Sequence, residues 1–181
     1  MSLADHLREL RRRFLISAVA VLVGAVVGWV TYPRVYGALA APFNDYKTSH
    51  PHSVISLNFG NATAAFSQQV SISIFVGVLI SSPVWMFQLW AFIVPGLHAN
   101  ERRWTRVFAA IAGPMFLIGV ATGYWVLPKG LEALISFTPK NVQNFVDISS
   151  YLTFVVKMLL AFGVAFEIPL LFLADVPGFM I

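Results

Sequence analysis

Four long stretches of this chain carry almost no charge, and mixed polar segments separate them. Phe14 to Tyr32 is uncharged, as are Val70 to Pro95 and Val107 to Leu127, while Tyr151 to Leu173 holds two charges, Lys157 and Glu167. About 20 apolar residues in a helix cover the hydrocarbon core of a bilayer. The pattern therefore predicts four membrane-spanning helices, at about 14–32, 70–95, 107–127 and 151–173. Residues 1–13 read differently: Leu3, Leu7 and Leu10 share one helical face, with Asp5, Arg8, Glu9 and Arg12 elsewhere. That is a short amphipathic helix, with Ser2 placed to cap it and Asp5 three residues on.

Prolines and polar clusters mark the expected boundaries. Pro33 and Arg34 end the first span, and residues 33–69 form a long loop with short helices near Val35–Leu39 and Ala62–Ser67. The second span is longer than a perpendicular crossing needs, so it tilts or kinks, and Pro83 is the expected kink. A short turn at 96–106 leads into the third span, where Pro114 is a second kink point and Pro128 the end. Residues 128–150 form another loop, with a short helix near Gly130–Phe137. Gly24 with Gly28, and Gly119 with Gly123, have the small-xxx-small spacing that lets helix backbones approach closely.

Composition agrees with a membrane protein. The chain of 181 residues is 58% hydrophobic and 11% charged, against about 25% charged in soluble domains. Cysteine is absent, which excludes a disulfide scaffold, thiol catalysis and thiolate metal sites. The net charge of +4 would suggest nucleic acid in a soluble protein, but the arginines flank the apolar runs. Arg8, Arg11, Arg12 and Arg13 precede the first span, and Arg102, Arg103 and Arg106 lie in the turn after the second. The opposite side holds Arg34, Lys47, Lys129 and Lys140, thinly spread. By the positive-inside rule both termini are cytoplasmic.

Arg11-Arg12-Arg13-Phe14-Leu15 has the R-R-x-F-L core of a twin-arginine export signal. The apolar run after it exceeds the roughly 7–15 residues of a signal, and further spans follow, so it reads as a retained span. His50-Pro51-His52 lacks a third metal ligand and reads as a solvated pair. Asn61-Ala62-Thr63 fits a glycosylation sequon. Trp85, Trp90 and Phe92 suit an aromatic belt. Glu101 sits in the turn, flanked by Arg102 and Arg103. Glu167 lies about 24 Å past Tyr151 at 1.5 Å per residue, inside the hydrocarbon and next to Pro169. An ionisable residue at that depth reads as functional. No acid–base pair for an enzyme accompanies it, there is no glycine-rich phosphate loop, and no cofactor or metal is expected.

These residues resemble the TatC family, the receptor subunit of the twin-arginine protein translocase. The resemblance rests on His6-Leu7-Arg8-Glu9-Leu10-Arg11 through Arg13, on Ser82-Pro83 with Gln88-Leu89-Trp90-Ala91-Phe92-Ile93, Pro95 and Glu101-Arg102-Arg103, and on Asp147-Ile148-Ser149-Ser150-Tyr151-Leu152 with Phe162 through Pro169. It implies an all-α, glove-shaped bundle in a bacterial plasma membrane. That bundle would bind the paired arginines of signal peptides on folded cargo, for export driven by the proton-motive force. Glu9 and Glu101 match the recognition carboxylates, bordered by Phe92, with Arg12 and Arg103 alongside. Glu167 and Pro169 match an intramembrane groove for signal peptide and single-span partners, and Pro42 an outer-loop proline. TatB-like and TatA-like subunits, further copies of the receptor and lipid are the implied partners. Family members carry six spans, of which this sequence shows four. Taken from residue types alone, a proton-coupled carrier titrating Glu167 is the rival reading, although the chain has no internal repeat.

Overall fold

In the computed structural model, the described residues are 3–49, 55–58, 61, 63–97, 102–137 and 144–175. Five helices carry nearly all of them: α1 (Leu3–Ser49), α2 (Ala64–Ile80), α3 (Ser82–Leu97), α4 (Arg102–Ser136) and α5 (Ile148–Asp175). Three of these are long and apolar enough to cross a membrane singly, and α2 and α3 together, bent by 63° at their break, have the length and composition for a fourth if the pair is one broken span. An all-helical membrane bundle is thus what the hydropathy pattern foretold. One addition is a parallel two-stranded pair, β1 (Ile55–Asn58) with β2 (Asn144–Asp147).

The first departure is α1. The amphipathic segment, the first span and the start of the expected loop are one helix of 47 residues, about 70 Å long at 1.5 Å per residue. It runs through Pro33 and Pro42, so the expected stop at Pro33 and the separate helix at Val35–Leu39 are corrected. A proline inside a helix leaves the carbonyl four residues back without its amide partner. For Pro42 that carbonyl belongs to Ala38, and the Tyr124 hydroxyl of α4 donates to it at 2.9 Å. Tyr151 of α5 donates to the next carbonyl, Leu39 O, at 3.1 Å. Leu39, Ala40 and Phe43 are buried in the core, so packing holds the helix together where propensity would end it.

The second departure is the kink, which is a break. Ser81 separates α2 from α3, and Pro83 lies in the first turn of α3, where a missing N–H is harmless. The Ser81 hydroxyl bonds Gly77 O at 2.7 Å. Trp85 reaches back so that its indole N–H donates to Val78 O at 2.9 Å. In the third helix, α4 passes through both Pro114 and Pro128, so the boundary at Pro128 and the separate helix at Gly130–Phe137 are also corrected. At the head of α5, the Asp147 carboxylate accepts from the Ser150 N–H at 2.9 Å and from its hydroxyl at 2.8 Å, forming a cap.

Glycines set the closest approaches. A Cβ at Gly28 would lie 2.5 Å from Ser73 O, and one at Gly24 would lie 2.9 Å from the Gly77 backbone. Between α4 and α5, a Cβ at Gly119 would meet Phe162 O at 2.6 Å. Both small-xxx-small pairs therefore serve as contact faces. Aromatic rings tie α3 to α4, with Trp90 stacked on Phe108 at 5.4 Å and Trp85 edge-on to Phe116 at 5.2 Å. We predict that Gly28→Leu and Gly119→Leu each destabilise the bundle by about 1–3 kcal/mol or more through overpacking. Gly37, which faces open space, tolerates Ala. Thermal unfolding of the purified variants in detergent would test both expectations.

Candidate functional site

The bend at Ser81 swings α3 so that its second half crosses the first turns of α1. Around this crossing the structure gathers Glu9, Arg12 and Phe92, and adds three residues of the quoted motifs that were not expected in the site: Arg13, Gln88 and His6. Glu9 and Arg13 are four apart on one helix face, a spacing that favours ion pairs. Arg13 donates to Glu9 Oε1 through Nη2 at 2.6 Å and through Nε at 3.1 Å. Its Nη1 donates to Gln88 Oε1 on α3 at 3.3 Å. One guanidinium thus links a carboxylate on α1 to an amide on α3. The His6 ring stacks on Phe92, with centroids 4.7 Å apart.

Two cavities adjoin this cluster. The first, about 220 Å³, is an apolar groove formed by Leu10 and Phe14 of α1 with Trp85, Leu89 and Phe92 of α3, and Arg13 and Gln88 stand at its wall. The second, about 210 Å³, is polar and is bounded by Glu9, Arg12, Arg13, Ile16 and Gln88. The Arg13 and Glu9 side chains are 22% and 37% exposed. An ion pair so open to solvent is worth about 0–1 kcal/mol, so the pair can be opened at low cost. A carboxylate in a polar cleft, with only Arg13 and Gln88 between that cleft and an apolar groove, suits a ligand that carries a cation beside a greasy side chain.

The remaining expected residues fall elsewhere or are not described. Glu101 lies outside the described residues, as do His50, Pro51 and His52. Arg103 falls in the first turn of α4. The end of α3 and the start of α1 share one end of the bundle, as the His6–Phe92 stack shows. Pro42 is buried within α1 rather than in a loop. Glu167 is buried, 7% exposed, and neither of its oxygens has a hydrogen-bond partner among the described residues. The indole of Trp90 is the polar group facing it, yet Trp90 Nε1 also lacks a hydrogen bond. The two side chains are neighbours without hydrogen-bonding geometry. Pro169, two residues on, is exposed on α5.

The Glu9–Arg13 spacing was open to inspection in the sequence. Gln88 was not, because its partner lies 75 positions away.

A buried carboxyl without donors opposes folding. We predict that Glu167→Met leaves thermal stability unchanged or raises it by about 1 kcal/mol or more, as replacing buried charge by apolar bulk often does. A clear loss in melting temperature would instead assign Glu167 a structural bond.

The profile of the family described as Sec-independent protein translocase protein (TatC) matches residues 5–176. A relative of that description from Xylanimonas cellulosilytica is 38% identical over 174 residues, covering 96% of this chain and 63% of its own length. One from Aquifex aeolicus is 34% identical, covering 94% of this chain and 70% of its own. This chain spans 63%, 49% and 58% of three such relatives. A crystal structure of twin arginine translocase receptor TatC in DDM superposes with a TM-score of 0.80 at 31% identity, covering 93% of this chain and 74% of that one. A second TatC crystal structure gives 0.80 at 34% identity, covering 93% and 73%.

Proposed function

Since this chain belongs to the TatC family of Sec-independent protein translocase proteins, an integral membrane transport family, we propose that it binds the paired-arginine signal peptides of folded cargo. The observation that carries this reading is the Glu9 carboxylate, which lines a polar cleft whose Arg13 and Gln88 wall it shares with an apolar groove, at the end of the bundle where α3 stops. Arginine is always charged, and its planar fork can take a carboxylate with two parallel bonds, whereas lysine offers a point charge. Glu9 receives one arginine of the pair and Glu101, four residues beyond the end of α3, receives the other. Phe92 lowers the local dielectric beside them. Arg12 and Arg103 keep the rim from collecting other cations.

The same reading sets the surroundings. Both termini face the cytosol of a bacterial cell, since the arginines concentrate at that end. The bundle works with TatB-like and TatA-like single-span subunits and with further copies of itself. Glu167 and Pro169 belong to the intramembrane surface that receives those helices, Pro42 to the outer end, and the proton-motive force drives transport. A buried acid with no hydrogen-bond partner among the described residues supports an incoming polar group at Glu167.

The test is binding of a labelled twin-arginine peptide and its twin-lysine counterpart to the chain in lipid nanodiscs. We expect Glu9→Gln and Glu101→Gln each to weaken the arginine peptide about tenfold, with less effect on the lysine peptide. Equal affinity for both peptides in the wild type, or no loss in either variant, would refute recognition. Proton flux abolished by Glu167→Gln would support a carrier instead.

A further inference from the structure

The two cavities at the α1–α3 crossing are divided by one side chain and its latch. Arg13 and Gln88 bound both cavities. Arg13 is held to Glu9 by two bonds that converge on Oε1, and to Gln88 by a third. The next residue, Phe14, lines the apolar groove. These two belong to Arg11-Arg12-Arg13-Phe14-Leu15, the stretch that has the core of an export signal yet is the start of a long retained helix. In that core Arg13 takes the variable position and Phe14 the aromatic one, so the likeness lies in the geometry: a guanidinium on the Glu9 carboxylate beside an aromatic ring in the apolar groove, where a ligand's cation and hydrophobic side chain would go.

Resting on the recognition reading above, we propose that Arg13 and Phe14 are an internal stand-in for the signal peptide, so that binding requires an incoming guanidinium to displace Arg13 from Glu9. Displacement removes the wall between the cavities and leaves one continuous cleft. Its polar end takes the cation, and its apolar end takes the large hydrophobic side chain that follows. Arg13 then sets affinity without touching the ligand in the final complex. It keeps Glu9 from being an unpaired, partly buried charge when no peptide is present, a state that carries a desolvation penalty.

The thermodynamics make the idea distinguishable from a simple contact. If only the open form binds, the apparent Kd is the intrinsic Kd divided by the open fraction. That factor is the same for every ligand, so the stand-in weakens arginine and lysine peptides equally. Arg13→Gln abolishes the pair, and since partly exposed ion pairs are worth at most about 1 kcal/mol, the expected gain is about twofold to fivefold. Gln88→Ala releases the latch without changing charge and gives a smaller gain. Arg11→Gln removes the same charge from the same helix but leaves the pair intact.

We would measure the Kd of the labelled peptides by fluorescence anisotropy on the whole chain in nanodiscs, for the wild type and these variants together with Glu9→Gln. Tighter binding in Arg13→Gln and Gln88→Ala, with an unchanged ratio of arginine to lysine affinity and a change under about twofold in Arg11→Gln, supports the stand-in. Unchanged or weaker binding in Arg13→Gln overturns it, the weaker result meaning that Arg13 positions Glu9. An equal gain in Arg11→Gln also overturns it, because net charge alone then explains the effect. Should Arg13→Gln fail to fold, no gain in Gln88→Ala overturns it independently. Loss of affinity in Glu9→Gln without a gain in Arg13→Gln sinks this inference and spares recognition. No loss in Glu9→Gln sinks recognition itself.

Discussion

Within a bilayer no water reaches the backbone, so every N–H and C=O in a spanning segment needs a partner supplied by the protein. This chain carries prolines inside α1, α4 and α5, at positions 33, 42, 114, 128 and 169, and it breaks between α2 and α3 at Ser81. Each such point frees a carbonyl, and at two of them a side chain from another turn or helix meets it. Ala38 O is met by the Tyr124 hydroxyl from α4, and Val78 O by the Trp85 indole across the break. An unsatisfied polar group in hydrocarbon costs several kcal/mol. These bonds therefore fix how helices sit against each other as well as hold the backbone.

The site at the α1–α3 crossing is a consequence. Trp85 is committed to Val78 O by its indole nitrogen while its ring packs edge-on to Phe116 and walls the apolar groove. The break thus sets the direction of α3, and that direction delivers Gln88 to Arg13 and Phe92 to His6. On the other flank, α1 and α2 close until Gly24 and Gly77 are in backbone contact. Lipid tails are as apolar as leucine, so such close approach supplies much of what holds spanning helices together. A straight second span, or bulkier residues at those glycines, would separate α1 from α3 and dissolve the cavities.

What the sequence conveyed and what it withheld divide along the same physics. Hydropathy reports solvent class, so the four apolar runs and the membrane bundle were legible. Small-residue spacing reports what a helix face can tolerate, and both glycine pairs proved to be contacts. Helix ends were misplaced at Pro33 and Pro128 because proline propensity is local, whereas the bond that rescues Pro42 comes from 86 residues away. Arg13 was hidden in a different manner. It stood in a cluster of four arginines, and only the α3 crossing distinguishes it from Arg11 or Arg12 by offering it Gln88. Glu101, the other half of the expected carboxylate pair, lies outside the described residues.

The two acids within the described bundle to which roles were assigned show why position decides what a carboxylate can do. Glu167, buried with no hydrogen-bond partner among the described residues, sits where isolated charge is most penalised. Glu9, more than a third exposed and already paired, sits where charge is nearly free but attraction is weak. Weak attraction alone cannot discriminate between cations, since about 1 kcal/mol is less than tenfold in affinity. An apolar groove changes that arithmetic, because burying about 100 Å² of apolar surface contributes roughly 2.5 kcal/mol. Selectivity at such a place would arise from requiring both at once, a fork-shaped cation for the carboxylate and a hydrophobic neighbour for the groove. The crossing of α1 and α3 joins those two demands within the reach of a few residues of extended chain.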